Sequence, residues 1–105
     1  MVRLYILKAD IPVEVEDIDE WRVFMDSEDE DGNEYRVIKR EKVGESFIST
    51  VFLGMDHSKS LNGPPLVFET KIFGGDYDGI MERYHTYQEA EEGHKRIKKS
   101  LKVSK

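Results

Sequence analysis

The sequence predicts an α+β fold: an antiparallel sheet of about four strands, with a short N-terminal helix and a C-terminal helix packed on one face. Three observations predict it. Apolar residues recur at three- and four-residue steps over 18–25 and again over 87–101. Between these stretches the chain runs in short apolar or alternating segments parted by Gly, Pro and Asp turns. The 105-residue chain also shows no repeat, no low-complexity tract and no composition break, so 1–105 reads as a single domain large enough to bury its own core.

Leu4 to Leu7 forms the first strand, ended by Ala9-Asp10-Ile11-Pro12, because proline cannot donate to a ladder. Ile18, Trp21, Phe24 and Met25 then give a helical stripe, with Glu16 or Asp17 supplying acid to the first turn. Trp21-Arg22-Val23-Phe24 is rich in β-formers, so a strand is the rival reading. Ser27 to Asn33 is a polar turn within an acidic loop at about 26–34.

Alternation from Tyr35 to Arg40 marks the next strand, turned at Val43-Gly44-Glu45. Phe47 to Leu53 is apolar on both faces, as a central strand requires. After the loop Gly54–Gly63 and Pro64-Pro65, Leu66, Phe68 and Ile72 share one face, and Val67, Glu69, Lys71 and Phe73 the other. The turn from Gly74 to Gly79 leads into Ile80–Tyr84, giving an antiparallel hairpin. One register sets Glu69 opposite Arg83, and the neighbouring one sets Lys71 opposite Glu82.

The last helix, at about 87–102, has the clearest start. Thr86 and Glu89 fit a capping box, in which hydroxyl and carboxylate each satisfy an orphan backbone donor. Tyr87, Ala90, His94, Ile97 and Leu101 fall on one face. Gly93 costs about 1 kcal/mol in a helix interior, so the sequence predicts close approach of the backbone to the sheet there.

Charge is divided. The net charge is -6, yet residues 10–34 hold twelve carboxylates against the single base Arg22, while the rest of the chain holds ten acids and fifteen bases. Glu28, Asp29, Glu30 and Asp31 stand together in the acidic loop, and the last eleven residues carry six cations and no acid. Such asymmetry can steer a basic partner over roughly 8–10 Å in ordinary salt. The bland reading is a solvated loop and a helix dipole complemented by cations. The sharp reading is an acidic interaction surface competing with nucleic acid for a basic groove; that surface would repel duplex DNA itself.

Candidate chemistry is sparse. No cysteine means no disulfide, no thiolate ligand and no cysteine nucleophile. Phosphate loops, dinucleotide fingerprints and nucleophile elbows are missing from the sequence. The acidic loop resembles a calcium loop but has Ile38 where the twelfth-position carboxylate belongs. His94, on the apolar face of the last helix, should point at the sheet and need partners for both ring nitrogens. The candidates are Asp56, His57, Glu69, Thr70 and Arg83. The plain alternative is a core histidine satisfied by one carboxylate or carbonyl. Asp56-His57 could form a proton-transfer dyad, and His57, His94 and Glu69 a facial metal triad, but neither has supporting spacing. The reading therefore assigns no catalytic residue, no metal and no cofactor.

Ser49-Thr50-Val51-Phe52-Leu53-Gly54-Met55-Asp56-His57 and Gly63-Pro64-Pro65-Leu66-Val67-Phe68-Glu69-Thr70 resemble a family of small uncharacterised proteins of phages and prophages. So do Phe73-Gly74-Gly75, Glu82-Arg83-Tyr84-His85-Thr86, Glu89-Ala90 and Gly93-His94. The resemblance is ordered over about 46–96. The chain departs from the pattern at Ser58 to Asn62, which lacks an aromatic-glycine pair, and in its longer acidic stretch. The resemblance implies a phage-encoded accessory protein acting in the host cytoplasm.

Three functions compete. The first is a non-enzymatic binder that modulates a host protein, such as a defence component, through the acidic surface. The second is a small-ligand or nucleotide-signal binder using Asp56, His57, Glu69, Arg83 and His94, with Arg83 as the anion contact. A hydrolase built on Asp56-His57 or on a metal ranks last. A homodimer joining acidic loop to basic helix is compatible with each. No run of about 18 apolar residues is present, and Met1–Lys8 is too short and too soon charged for a signal peptide.

Overall fold

A computed structural model describes residues 2–58 and 63–103. The order is β1 (Leu4–Lys8), β2 (Ile11–Val15), α1 (Ile18–Met25), β3 (Val37–Val43), β4 (Ser46–Phe52), β5 (Phe68–Phe73), β6 (Met81–Tyr84) and α2 (Tyr87–Val103). The architecture is α+β. β3-β4-β5-β6 form a four-stranded antiparallel sheet, and β1-β2 form a separate two-stranded one.

The second small sheet is a correction. Ile11-Pro12 does not end the first strand but opens β2, and Leu7 pairs with Pro12. Ala9 and Asp10 take φ of 50° and 65°, the left-handed pair that closes a two-residue hairpin. Both strands of a two-stranded ribbon are edges. Pro12 stands one residue beyond the hydrogen-bonded closing pair Lys8–Ile11, where its missing donor leaves no bond broken.

α1 forms as the apolar stripe predicts, and the β-formers within it do not prevail. Asp17 is its N-cap, accepting from the backbone N–H of Asp19 and Glu20. The helix buries none of its residues fully. It is anchored by Trp21, whose Nε1–H donates to the Gly54 carbonyl at 2.9 Å. Gly54 has φ of 75°, and a Cβ there would strike the Met25 sulfur, so both backbone and space require glycine. Tyr5 also donates its N–H to the Gly54 carbonyl, at 2.9 Å. β1 and α1 thus converge on the segment that follows β4.

β4 and β5 are the inner strands of the main sheet, and α2 lies across one face of it. Ile48, Phe52, Phe68, Ile72 and Tyr84 face the helix side and are buried with Ala90, Ile97 and Leu101. Phe52 packs edge-on against Phe24, and Phe68 edge-on against Tyr87. The opposite face of β4 is not covered in the way its apolar sequence predicts. Phe47 is 40% exposed, and Phe73, its partner on β5, is 46% exposed.

The hairpin β5–β6 takes the register with Glu69 opposite Arg83. The capping box is formed: Glu89 N–H donates to Thr86 Oγ1 at 3.0 Å, and the Glu89 carboxylate accepts from the N–H of Thr86 and His85 at 3.1 Å. Gly93 is buried against the Tyr84 ring and hydroxyl, so a Cβ there would overlap both. This is the close approach its place in the helix predicts. Among the described residues, no helix is long and apolar enough to cross a membrane.

Candidate functional site

α2 is long enough to span the sheet, and its 3.6-residue period sets His94 and Lys98 one turn apart on the same side. Both reach Glu41 on β3. His94 Nε2 lies 2.8 Å from Glu41 Oε1, and Lys98 Nζ donates to Oε2 at 2.9 Å. The other ring nitrogen, Nδ1, is 2.6 Å from Thr50 Oγ1 on β4, which is 2.6 Å from Thr70 Oγ1 on β5. One histidine therefore ties α2 to three strands.

Donor chemistry orders this chain. A carboxylate only accepts, so His94 Nε2 carries the proton facing Glu41. In the neutral ring Nδ1 accepts from the Thr50 hydroxyl, leaving Thr50 Oγ1 to accept from Thr70. The Lys98 hydrogen bond holds the Glu41 carboxyl down at about 2, against the opposing effect of burial and with help from His94.

Carboxylate, imidazole and hydroxyl in line are the elements of a nucleophilic triad. Here they cannot act as one. Thr50 and Thr70 are 0% exposed and His94 is 2% exposed, so the hydroxyls and the ring are closed off from a substrate in solution. The arrangement satisfies three buried polar side chains completely, as a structural tether must.

The other residues grouped with His94 lie elsewhere. Asp56 is beyond the end of β4, at the junction with β1. Its carboxylate accepts from Arg3 Nη2 at 2.6 Å and from the backbone N–H of Ser58 and Leu66 at 2.8 and 3.0 Å. Burial opposes its ionisation, but these donors outweigh burial and hold it well below the usual carboxylate range. It fastens the loop after β4 to both β1 and the approach to β5. His57 is exposed and makes no dyad with Asp56.

Glu69 and Arg83 form a cross-strand ion pair at 3.1 Å on the side of the sheet away from α2. They cannot meet His94, because alternate strand residues face opposite sides and it is Thr70 that faces the helix. Among the described residues no three metal-ligating side chains come together, so His57, His94 and Glu69 form no triad.

Glu41 is absent from the partners the sequence proposes for His94. The signal that could have found it is the i,i+4 pair His94 and Lys98, two donors that can share one carboxylate. The irregularity between Val37 and Lys39 hides it, since this shift resets which β3 residues face the helix.

In the acidic loop, Asp29 folds back on its own backbone. It accepts from the backbone N–H of Asp31 and Asn33 at 2.9 Å, and the Asn33 bond chiefly lowers its pKa. Glu28, Glu30 and Asp31 stay exposed. So do Asp10, Glu14, Glu16, Asp17, Asp19, Glu20 and Asp26, in the unit formed by β2, α1 and the loop. Exposed apolar side chains sit among them: Ile11, Ile18, Val23 and Tyr35, with Val23 69% exposed.

Comparison with protein-family models, with curated proteins and with solved structures finds no match.

Proposed function

We propose that this chain is a phage-type accessory protein: a non-enzymatic binder that modulates a host factor, such as a defence component, in the host cytoplasm. One observation carries the reading. The segment 10–35 combines ten exposed carboxylates with exposed Ile11, Ile18, Val23 and Tyr35, and its helix α1 buries no residue fully. A merely solvated loop needs the charges but not the apolar groups. Together they fit a partner surface that is basic with apolar recesses, such as a groove that otherwise holds nucleic acid.

The chemistry elsewhere supports binding over catalysis. Asp56 and His94, the two strongest candidates for reactive groups, have their acceptors and donors engaged in tethers. The five residues of the small-ligand reading are divided between the two sides of the sheet and the β1 junction, which favours the binder reading.

The test is capture from a bacterial lysate by the wild-type chain and by a variant with Glu28→Lys, Glu30→Lys and Asp31→Lys. The expected result is a basic partner retained at low salt, released at high salt or by added DNA, and lost with the variant. A partner held equally by both chains and at both salt concentrations would overturn the acidic-surface reading.

A further inference from the structure

We propose that the uncovered face of the four-stranded sheet is a docking platform for single-stranded DNA. Antiparallel register places paired residues on the same side. Lys42, Phe47 and Phe73 form one row across β3, β4 and β5; Arg40, Ser49 and Lys71 form the next. Glu69 and Arg83 stand in the third. None of these points toward α2, and among the described residues no element covers them.

Two features of this face point to a nucleic-acid strand. The first is aromatic. Phe47 and Phe73 are direct cross-strand neighbours, each more than a third exposed, so they offer adjoining π surface rather than a scattered apolar residue. Lys71 Nζ rests 5.4 Å from the Phe73 ring centre, a cation lying where a base could stack and a phosphate could follow. The second feature is charge. The chain carries -6 overall, yet this face gathers Arg40, Lys42, Lys71 and Arg83 against Glu69. Glu69 pairs with Arg83, and Glu34 at the β3 edge approaches Arg40 at 3.7 Å. Among the described residues, no carboxylate is within ion-pair distance of Lys42 or Lys71, the two cations flanking the phenylalanines.

Stacked aromatics beside backbone-tracking cations are how single strands are held without sequence reading. A duplex keeps its bases stacked on one another and cannot present them to a flat sheet. The occupant is assigned to DNA because the hydroxyl of this face, Ser49, is buried and accepts from Arg40 Nε, so it is not presented to a ribose 2′-hydroxyl. The turns at the phenylalanine end carry exposed Glu45 and Asp76, which set the limit of the strand's path. The acidic loop borders this surface at its Arg40 end, where Glu34 reaches the guanidinium, and the two phenylalanines lie one row further on.

The experiment is fluorescence anisotropy of a labelled oligothymidine of about twelve nucleotides, within the site sizes common to such platforms, titrated with the full chain. Saturable binding is expected, at least tenfold weaker for a duplex of equal length. Phe47→Ala and Phe73→Ala should each weaken it about tenfold, the usual worth of a stacked base. Lys42→Gln and Lys71→Gln should each make the logarithmic salt dependence shallower by about 0.7. All four sites are at least partly exposed, and an unchanged melting midpoint checks that each variant is folded. Glu28→Lys, Glu30→Lys and Asp31→Lys together should not weaken binding. The proposal is overturned by no saturation at about 100 µM in low salt, the weak end of non-specific affinity. Affinity indifferent to both phenylalanines, or an equally tight duplex, would also overturn it. An oligouridine bound more than tenfold tighter would overturn the assignment to DNA.

Discussion

Nε2 of His94 and Oε1 of Glu41 stand 2.8 Å apart although 53 residues separate them in the chain. With Lys98 on the same carboxylate and Thr50 and Thr70 beyond the ring, this contact joins the last helix to the first three strands of the main sheet. The energetic weight of such a network lies in the cost of breaking it. Removing one member strands a buried polar partner.

His94→Ala is expected to lower the free energy of unfolding by about 2–3 kcal/mol, from the lost ring volume and the unpaired Thr50 hydroxyl. Thr50→Val should cost about 1–3 kcal/mol, since Nδ1 then loses its donor. The double variant should cost less than the sum, because both break one chain of bonds. Denaturant unfolding measures all three.

Acid should weaken the same tether. Glu41 titrates near 2 when folded and at an ordinary carboxylate value, about 4.5, when unfolded. A depressed folded pKa means that the unfolded chain binds the proton first, so the contribution is complete above about pH 4.5 and is lost as pH falls toward 2. Melting midpoints taken from pH 6 to pH 2 should fall in that window. Glu41→Gln should start lower and fall less steeply through it. Identical slopes for the two proteins would refute the linkage.

Gly93 offers a test in the opposite sense. On propensity alone Gly93→Ala should stabilise α2 by about 1 kcal/mol. The added methyl would overlap the Tyr84 ring and hydroxyl, so the expected outcome is net destabilisation of about 1–3 kcal/mol. In a Tyr84→Ala background, which is itself destabilised, the same substitution should turn neutral or favourable. Thermal melts of the four proteins decide it.

Asp56 and His57 are neighbours with different duties. Asp56→Ala should cost about 2–4 kcal/mol, because Arg3 and two backbone N–H groups lose their acceptor. His57→Ala should stay within about 0.5 kcal/mol, as exposed substitutions do. Equal losses in the two melts would show that the histidine carries a structural role its exposure does not reveal.

Much of this molecule was legible in the one-dimensional pattern, and for a local reason. The period of Ile18, Trp21 and Met25, the Thr86–Glu89 capping box and the inward place of His94 each depend on residues within a turn or two of one another. So does the Glu69–Arg83 register, which was one of two readings allowed by a short turn. The hairpin at Ala9-Asp10 escaped because a non-glycine pair with positive φ leaves little trace in sequence, and Pro12 reads as a stop.

Which partners meet was decided by the tertiary structure alone. Sequence placed His94 on the sheet-facing side of α2, but its carboxylate partner depends on strand order, on the irregularity in β3 and on the crossing of helix over sheet. Those are long-range packing choices that a spacing rule cannot encode. The same holds for Phe47 and Phe73. Their apolar character suits a buried or an open face equally, and only the placement of both helices on the other side leaves these two rings in water.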